Sequence, residues 1–222
     1  MSGYEPDAGV ARAERLDTAT LSDALDRLGI AGQCQRIQPR DGRFRMTGRA
    51  FTILYGPASN PPGTVGDYID DVPPGGIVVL DNGGREDATV WGDILTEIAH
   101  RRGLGGTVID GICRDVALCI ELGYPVYSRG HWMRTGKDRV QVEARDVSVN
   151  IGDARVRPGD LLRGDADGVL VIPREHEEAV LAAAAEIDHA EQQIREAVRA
   201  GMRLDEARKQ FRYHGLQTRR KP

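Results

Sequence analysis

The chain has 222 residues, 40% hydrophobic and 29% charged, which suffices for the core of one large α/β domain. Net charge is −4, but six of the 30 basic residues lie in the last fifteen positions, leaving 24 basic against 34 acidic side chains elsewhere. An acidic body argues against nucleic acid as the main partner, and no apolar run reaches the ~18 residues of a membrane span. Three cysteines (Cys34, Cys113, Cys119) without CxxC spacing argue against a disulfide or zinc framework. The stretch Met1 to Asp7 has no basic or apolar region of the signal-peptide kind, so a reducing cytoplasm is the expected setting.

In chain order, residues 18–28 read as a helix. Asp17 or Thr18 caps it, Leu21, Ala24, Leu25 and Leu28 supply the stripe, and Gly29 stops it. Residues 47–55 form a strand, and Val65 to Asp71 a short helical turn ended by Pro73-Pro74-Gly75-Gly76. The run Ile77 to Leu80 is a strand ending at Asp81, followed by a loop from Asn82 to Trp91. Gly92-Asp93-Ile94-Leu95 opens a helix over 93–102 that buries Ile94, Leu95, Ile98 and Ala99. Thr107-Val108-Ile109 is a second strand, Asp110-Gly111 a turn, and Arg114-Asp115 opens the next apolar segment. Beyond Gly123 short strands are expected at 125–128, 139–143, 147–151, 155–157, 161–163 and 169–172, with turns at Pro158-Gly159-Asp160 and Asp165-Ala166-Asp167-Gly168. A long helix follows over 174–200, then a shorter one over 204–211. This gives an N-terminal extension (1–15), an α/β core (16–173) and a C-terminal helical arm with a basic tail (174–222).

The constellation that carries chemistry is Asp93, twenty intervening residues, and then Arg114-Asp115. Strand–helix–strand connectivity makes the two strands parallel neighbours, so their carboxyl ends and these three side chains are expected in one cleft. Asp115 by itself would be an ordinary helix-dipole partner, and Gly92 to Leu95 an ordinary helix start. Together they offer a guanidinium fork for a carboxylate, an oxygen ligand for a hard cation, and a helix N-terminus that attracts anions. Gly92 permits close backbone approach, and the first amides of the helix, those of Asp93, Ile94 and Leu95, are expected to point outward.

The stretches Trp91 to Leu95, Gly105 to Val116, Tyr124 to Gly130, Val156 to Asp160 and Asp165 to Val169 resemble the class II 4-hydroxy-4-methyl-2-oxoglutarate aldolases. Relatives of that family include the regulator of ribonuclease activity A proteins. The resemblance runs over roughly residues 16 to 200. It implies a single α/β domain with a β/β/α swivelling-domain-like core and a long C-terminal helical arm. It implies an aldolase that cleaves a 4-hydroxy-2-oxo acid to pyruvate, with oxaloacetate decarboxylation as a side activity and a Mg²⁺ or Mn²⁺ cofactor. Within the family, the Asp, twenty residues, Arg-Asp pattern separates aldolases from members without that activity. Carried over residue by residue, Asp115 holds the metal and Arg114 grips substrate and stabilises the enolate. The amides of Gly92 to Leu95 hold the pyruvoyl carboxylate, and Asp93 holds the water that protonates the enolate. A homotrimer or hexamer is implied, and the apolar stripe of helix 174–200 (Ala179, Val180, Ala183, Ala184, Ile187, Ile194, Val198) is in keeping with a buried face.

Other signals fail. Arg134-Thr135-Gly136-Lys137-Asp138 resembles a phosphate loop, yet Gly130 is one residue too far upstream and Asp138 stands where Ser or Thr is required. Gly103-Leu104-Gly105-Gly106 precedes a strand and is no dinucleotide fingerprint. Cys113 lacks a local histidine and reads as a packing residue, and the five histidines show no zinc spacing. His131 and Trp132 receive no role, and no side-chain base for the 4-hydroxyl is identifiable. The alternatives are a protein-binding regulator of an RNA-degrading enzyme and a lyase of the same chemistry on another 2-oxo acid. Methyl transfer, a label sometimes attached to the family, lacks the glycine-rich loop that a nucleotide-type cofactor needs.

Overall fold

The computed structural model describes residues 7–216 and 218; Arg219, Arg220 and Lys221 of the basic tail lie outside them. Helix α1 (Ala8–Ala13) is capped by the Asp7 carboxylate, which accepts from the Val10 amide. Helix α2 (Thr18–Leu28) starts on Asp17, whose side chain accepts from the Thr20 amide, and ends at Gly29 in the left-handed region (φ 70°). These are the bounds that the apolar stripe and its caps predict.

The sheet is organised by one long strand. After the short β1 (Gln38–Pro39), β2 (Met46–Pro57) pairs with three partners along its length. Its first residues run antiparallel to β9 (Leu161–Asp165), its middle runs parallel to β3 (Ile77–Thr89), and its end runs antiparallel to β6 (Val140–Arg145). A register shift at Leu54/Tyr55 bends it on the way. With β4 (Gly106–Cys113), β5 (Val126–His131) and β10 (Gly168–Ile172), the order across the sheet is β1-β5-β4-β3-β2-β9-β10. A separate hairpin, β7 (Val149–Ile151) and β8 (Ala154–Val156), lies over it. The strands β3, β4 and β5 are parallel; α3 (Asp93–Arg101) joins the first two and α4 (Val116–Glu121) the next. Strands covered on both sides are apolar throughout, and Ile77 to Leu80 and Val108 to Ile109 are fully buried.

Two cores result. The larger joins β2 to β8 with α3 and α4 through Ile53, Val79, Val108, Val126, Cys119 and Ile151. The smaller joins α1, α2, β9 and β10 to the long helix α5 (Glu177–Arg199) through Leu21, Leu25, Leu161, Ile172, Leu181 and Ile187. The apolar stripe of α5 is therefore covered within the chain at Val180, Ala183, Ala184 and Ile187, while Ala179 and Val198 stay exposed, and a last helix α6 (Leu204–Gln210) follows it.

Three local expectations are corrected. Only Ile69–Asp71 of the 65–71 segment is helical, a single 3-10 turn. The segment 82–91 is no free loop, because β3 continues to Thr89 with register shifts against β4, and Gly83 and Gly84 take positive φ where the extra residues bulge. Asp110-Gly111 is no turn. It lies inside β4, where Gly111 at φ 155° permits a kink that other residues rarely adopt. Asp81 and Asp110 sit opposite each other and anchor the hairpin: Asp81 accepts from the Asn150 amide and Asp110 from the Gly152 amide, both at 2.9 Å.

Within the smaller core, α2 is tied to β9 at Asp165, which is 5% exposed and accepts from the amide (2.8 Å) and hydroxyl (2.7 Å) of Thr18. Burial pushes this carboxyl up, but the Thr18 and Asp167 hydrogen bonds and nearby Arg163 hold it below the usual range. A folded pKa below the unfolded one gives stability that is present above about pH 4 and is lost as pH falls through the folded value. Asp165→Asn is therefore expected to cost about 1–3 kcal/mol in urea unfolding at pH 7, with the gap to wild type narrowing near pH 3. Equal stabilities at pH 7 would contradict this.

Candidate active site

The exits of β3 and β4 stay paired beyond the last strand residues: the Val90 amide donates to the Ile112 carbonyl and the Arg114 amide to the Trp91 carbonyl (2.9 Å). Trp91 is buried and stacks on Tyr124, with ring centroids 6.1 Å apart and planes 7° from parallel. Its indole N–H donates to Thr96 Oγ1, which donates back to the Gly92 carbonyl, both at 2.9 Å. The turn between strand and helix is thus held from below by an aromatic pair and from the side by β4.

On this support the expected residues come together. The Asp115 Oδ2 accepts from the Asp93 amide at 3.2 Å and lies 3.3 Å from Arg114 Nε. That is a single contact of the adjacent pair, so the rest of the guanidinium fork stays available. Asp115 itself adopts a left-handed backbone (φ 56°, ψ 40°) at the mouth of α4, an unusual conformation for a residue with a Cβ. This bend turns its carboxylate back toward the start of α3. Gly92 is extended (φ −152°), so space and not conformation demands glycine: an added Cβ would lie 2.8 Å from Asp115 Oδ2 and 3.1 Å from Arg114 Nε.

Two expectations about α3 are corrected. The amides of Asp93 and Ile94 are not open: Asp115 takes the first, and Asp93 Oδ1 takes the second at 2.8 Å. Carboxylate oxygens of the chain stand where a ligand carboxylate would be received, as the positive helix end favours. Ile94 is 70% exposed instead of buried, because α3 turns Thr96 and Ala99 to the core, with Leu95 and Ile98 packing partly against it.

Gly92, Asp93, Ile94, Leu95 and Arg114 line a cleft of 470 Å³. Its other walls, Val65 to Asp70 and the loop carrying Thr135 and Lys137, were not singled out as site residues from sequence. Lys137 belongs to the failed phosphate-loop match, and its signal was only that few lysines exist in the chain. A larger cavity of 580 Å³, between α2 and the β9–β10 turn, contains none of Asp93, Arg114 and Asp115. Asp93 and Arg114 line the smaller one, and Asp115 lines neither. Cys113 is buried behind it, 3.6 Å from Ser128 Oγ, and burial pushes its thiol up, as befits a packing residue.

Among the described residues no three His, Cys, Asp or Glu side chains form a metal cage. The donor set suits a hard divalent cation of the Mg²⁺ kind, which keeps several waters and takes one or two carboxylates. Asp115, 39% exposed at its side chain, offers such a carboxylate with room for water.

A family model described as RraA-like, Aldolase/RraA, matches residues 18–171. The chain belongs to the RraA-like family. It is 37% identical over 201 residues to protein DlpA of Legionella pneumophila, spanning 89% of this chain but only 32% of that protein. It is 32% identical over 166 residues to a Halalkalibacterium halodurans protein provisionally named 4-hydroxy-4-methyl-2-oxoglutarate aldolase, covering 75% of this chain and 77% of the relative. Among solved structures, an uncharacterized Pseudomonas syringae pv. tomato protein superposes with TM-score 0.85 and 41% identity over 92% of this chain and all of that one. Streptomyces coelicolor RraAS2, described as an unusual member of the RNase ES inhibitor RraA protein family, does so with TM-score 0.77 and 28% identity over 85% and 96%. The expected family and the α/β fold with its long C-terminal helix are borne out.

The close approach at Gly92 has a measurable consequence. Gly92→Ala must push the ends of the Asp115 or Arg114 side chains aside, and forcing partly exposed side chains off their rotamers costs about 0.5–1.5 kcal/mol. Thermal unfolding should show the loss; a Gly92→Ala protein as stable as wild type would mean that the two side chains are not held against this backbone.

Proposed function

We propose that the cleft performs divalent-metal-dependent retro-aldol cleavage of a 4-hydroxy-2-oxo acid to pyruvate, and also decarboxylates oxaloacetate. The observation that carries this reading is the meeting at Asp115 Oδ2 of Arg114 Nε (3.3 Å) and the Asp93 amide (3.2 Å) that opens α3. Both reactions pass through a pyruvate enolate, and this is an arrangement for receiving an anion and a building negative charge. The names of relatives support an aldolase; metal dependence and substrate are this reading's own.

In the proposed reaction the substrate carboxylate replaces the Asp93 and Asp115 oxygens on the α3 amides. The Arg114 guanidinium lies beside the 2-oxo oxygen. A water or hydroxide takes the proton of the 4-hydroxyl, the O–H pair forms the C4=O bond of the released carbonyl product, the C3–C4 bond breaks, and its electron pair moves toward the 2-oxo oxygen, where Arg114 faces the developing charge. A water held by Asp93 returns a proton to C3 and gives pyruvate. A Mg²⁺ or Mn²⁺ ion held by Asp115 supplies, when bound, additional positive charge at the enolate oxygen.

Three exposed apolar side chains, Ile94 (70%) in the cleft wall and Trp132 (42%) and Met133 (74%) after β5, support a trimer or hexamer that covers them. The apolar stripe of α5 adds little to this, since most of it is covered within the chain and only Ala179 and Val198 are exposed. The three buried, free cysteines are in keeping with a cytoplasmic setting. A second reading, a protein-binding regulator of an RNA-degrading enzyme, is favoured by the likeness to RraAS2.

The test is pyruvate formation from oxaloacetate and from 4-hydroxy-2-oxo acids, with and without Mg²⁺ or Mn²⁺. Arg114→Lys keeps the charge and loses the fork, so kcat/KM is expected to fall roughly thirty- to a thousandfold, through kcat as well as KM. Arg114→Ala should be worse, and Asp115→Ala should abolish turnover with the fold intact. Wild-type activity indistinguishable from metal alone would sink the aldolase reading and leave the regulator. Activity that survives Arg114→Ala or a chelator would move the site elsewhere.

A further inference from the structure

The peptide unit that links Gly92 to Asp93 stands at the centre of the donor set at the cleft. Its N–H is the first donor of α3 and meets Asp115 Oδ2 at 3.2 Å. A trans peptide is planar, so its C=O and N–H point in opposite directions, and whatever fixes one aims the other. The carbonyl end, at Gly92, accepts twice from Thr96. The Thr96 amide donates at 3.0 Å, which is the first bond of the helix, and the Thr96 hydroxyl donates at 2.9 Å. Gly92 caps α3 without a side-chain hydrogen bond of its own, and a glycine backbone is the least restrained by its own residue. Among the described residues, the Thr96 hydroxyl is therefore the one side-chain contact on this carbonyl.

The direction of that hydroxyl is set from below. Thr96 is 1% exposed and shielded from bulk solvent. An indole N–H donates and cannot accept, and Trp91 Nε1 lies 2.9 Å from Thr96 Oγ1. The threonine oxygen accepts that bond, which leaves its own proton for the Gly92 carbonyl. Trp91 is itself buried and stacked on Tyr124, whose hydroxyl pairs with Thr107 Oγ1 of β4 at 2.9 Å. A chain of buried contacts thus runs from β4 through Tyr124, Trp91 and Thr96 to the peptide whose N–H opens α3. Satisfying the buried indole needs an acceptor alone. The second half of the relay, donation to the Gly92 carbonyl, acts on the peptide that faces Asp115.

We propose that Thr96 is a positioning residue: its hydroxyl, oriented by Trp91, holds the Gly92–Asp93 peptide so that the Asp93 N–H stays aimed at the carboxylate that occupies the α3 N-terminus. In the free protein that carboxylate is Asp115; that a substrate carboxylate takes its place rests on the reading given under Proposed function. Thr96 touches no substrate and acts through the peptide. The substrate carboxylate is present before and during bond cleavage, so an amide held on it serves ground and transition states alike. Its loss appears in KM and in ligand affinity, with kcat little changed. Arg114, beside the oxygen where charge builds, moves both, and this split separates the two roles.

The experiment compares wild type with Thr96→Val, which keeps the shape without the hydroxyl, and Thr96→Ser, which keeps the hydroxyl. Glycine labelled with ¹³C at the carbonyl and aspartate labelled with ¹⁵N isolate the five Gly–Asp peptides of the chain in NMR spectra, and Asp93→Asn identifies the one at 92–93. In the metal-free protein, Thr96→Val is expected to move the Asp93 amide proton upfield as its bond to Asp115 weakens. The Gly164–Asp165 signal should stay in place, and Thr96→Ser should resemble wild type. With Mg²⁺ present, calorimetric pyruvate affinity and the KM for oxaloacetate should worsen about three- to thirtyfold in Thr96→Val, with kcat within about twofold, and recover in Thr96→Ser. Should Thr96→Val not fold, Thr96→Ala, which places the best helix former there, is read in the same way. An unmoved Asp93 signal in the hydroxyl-free variant, a moved signal with unchanged pyruvate affinity, or a loss in Thr96→Ser equal to that in Thr96→Val would overturn the proposal. If wild type neither binds pyruvate nor decarboxylates oxaloacetate, the aldolase reading fails, and the Asp93 signal alone decides whether Thr96 aims this amide.

Discussion

The structure depends on the parallel pairing of β3 with β4 and on its continuation past the strand ends. A single hydrogen bond, from the Arg114 amide to the Trp91 carbonyl, brings two points of the chain 23 residues apart into contact. Everything at the cleft follows from it. Gly92 is the residue after Trp91 and Asp115 the residue after Arg114, so fixing one pair of backbone atoms fixes the carboxylate, the guanidinium and the helix start together. The rigid partners beneath, Trp91 on Tyr124 and Thr96 on Gly92, keep that contact from drifting. Catalytic groups need placement within a fraction of an ångström, and short links from buried strands provide it.

Electrostatically the cleft is balanced against itself. The α3 N-terminus is satisfied by Asp93 and Asp115, and Arg114 touches Asp115, so the charges hold one another in place. An incoming carboxylate exchanges for oxygens of the same kind on the same amides, so little polar surface is stranded in either state. Under the proposed reaction this exchange is also what frees the Asp115 carboxylate to serve a cation.

Much of this was legible in the sequence. The bounds of α2 follow from Asp17, its stripe and Gly29, all local signals. The Asp93, Arg114 and Asp115 cluster follows from strand–helix–strand connectivity, which converts a spacing into a meeting point. What was not legible depends on partners far along the chain. The stretch Asn82 to Asp87 is polar and glycine-rich and reads as a loop, yet β4 supplies a partner across bulges at Gly83 and Gly84. Ile94 has the spacing of a buried residue, but the orientation of α3 is set by its seat on the sheet, which puts Thr96 and Ala99 inward. The loop with Thr135 and Lys137 looked like the debris of a motif because its neighbour in space, Thr89, which bridges Thr135, is 46 positions away from it in sequence.

The central claim is that this cleft stabilises a pyruvate enolate, and that claim can be tested without the full substrate. In D₂O an enzyme that forms the enolate of bound pyruvate exchanges the methyl protons for deuterium, which proton NMR follows directly. With Mg²⁺ present, wild type is expected to exchange the methyl protons well above the rate set by the metal alone, and Arg114→Ala is expected to fall to that rate. Exchange by the wild type no faster than Mg²⁺ alone would contradict the account.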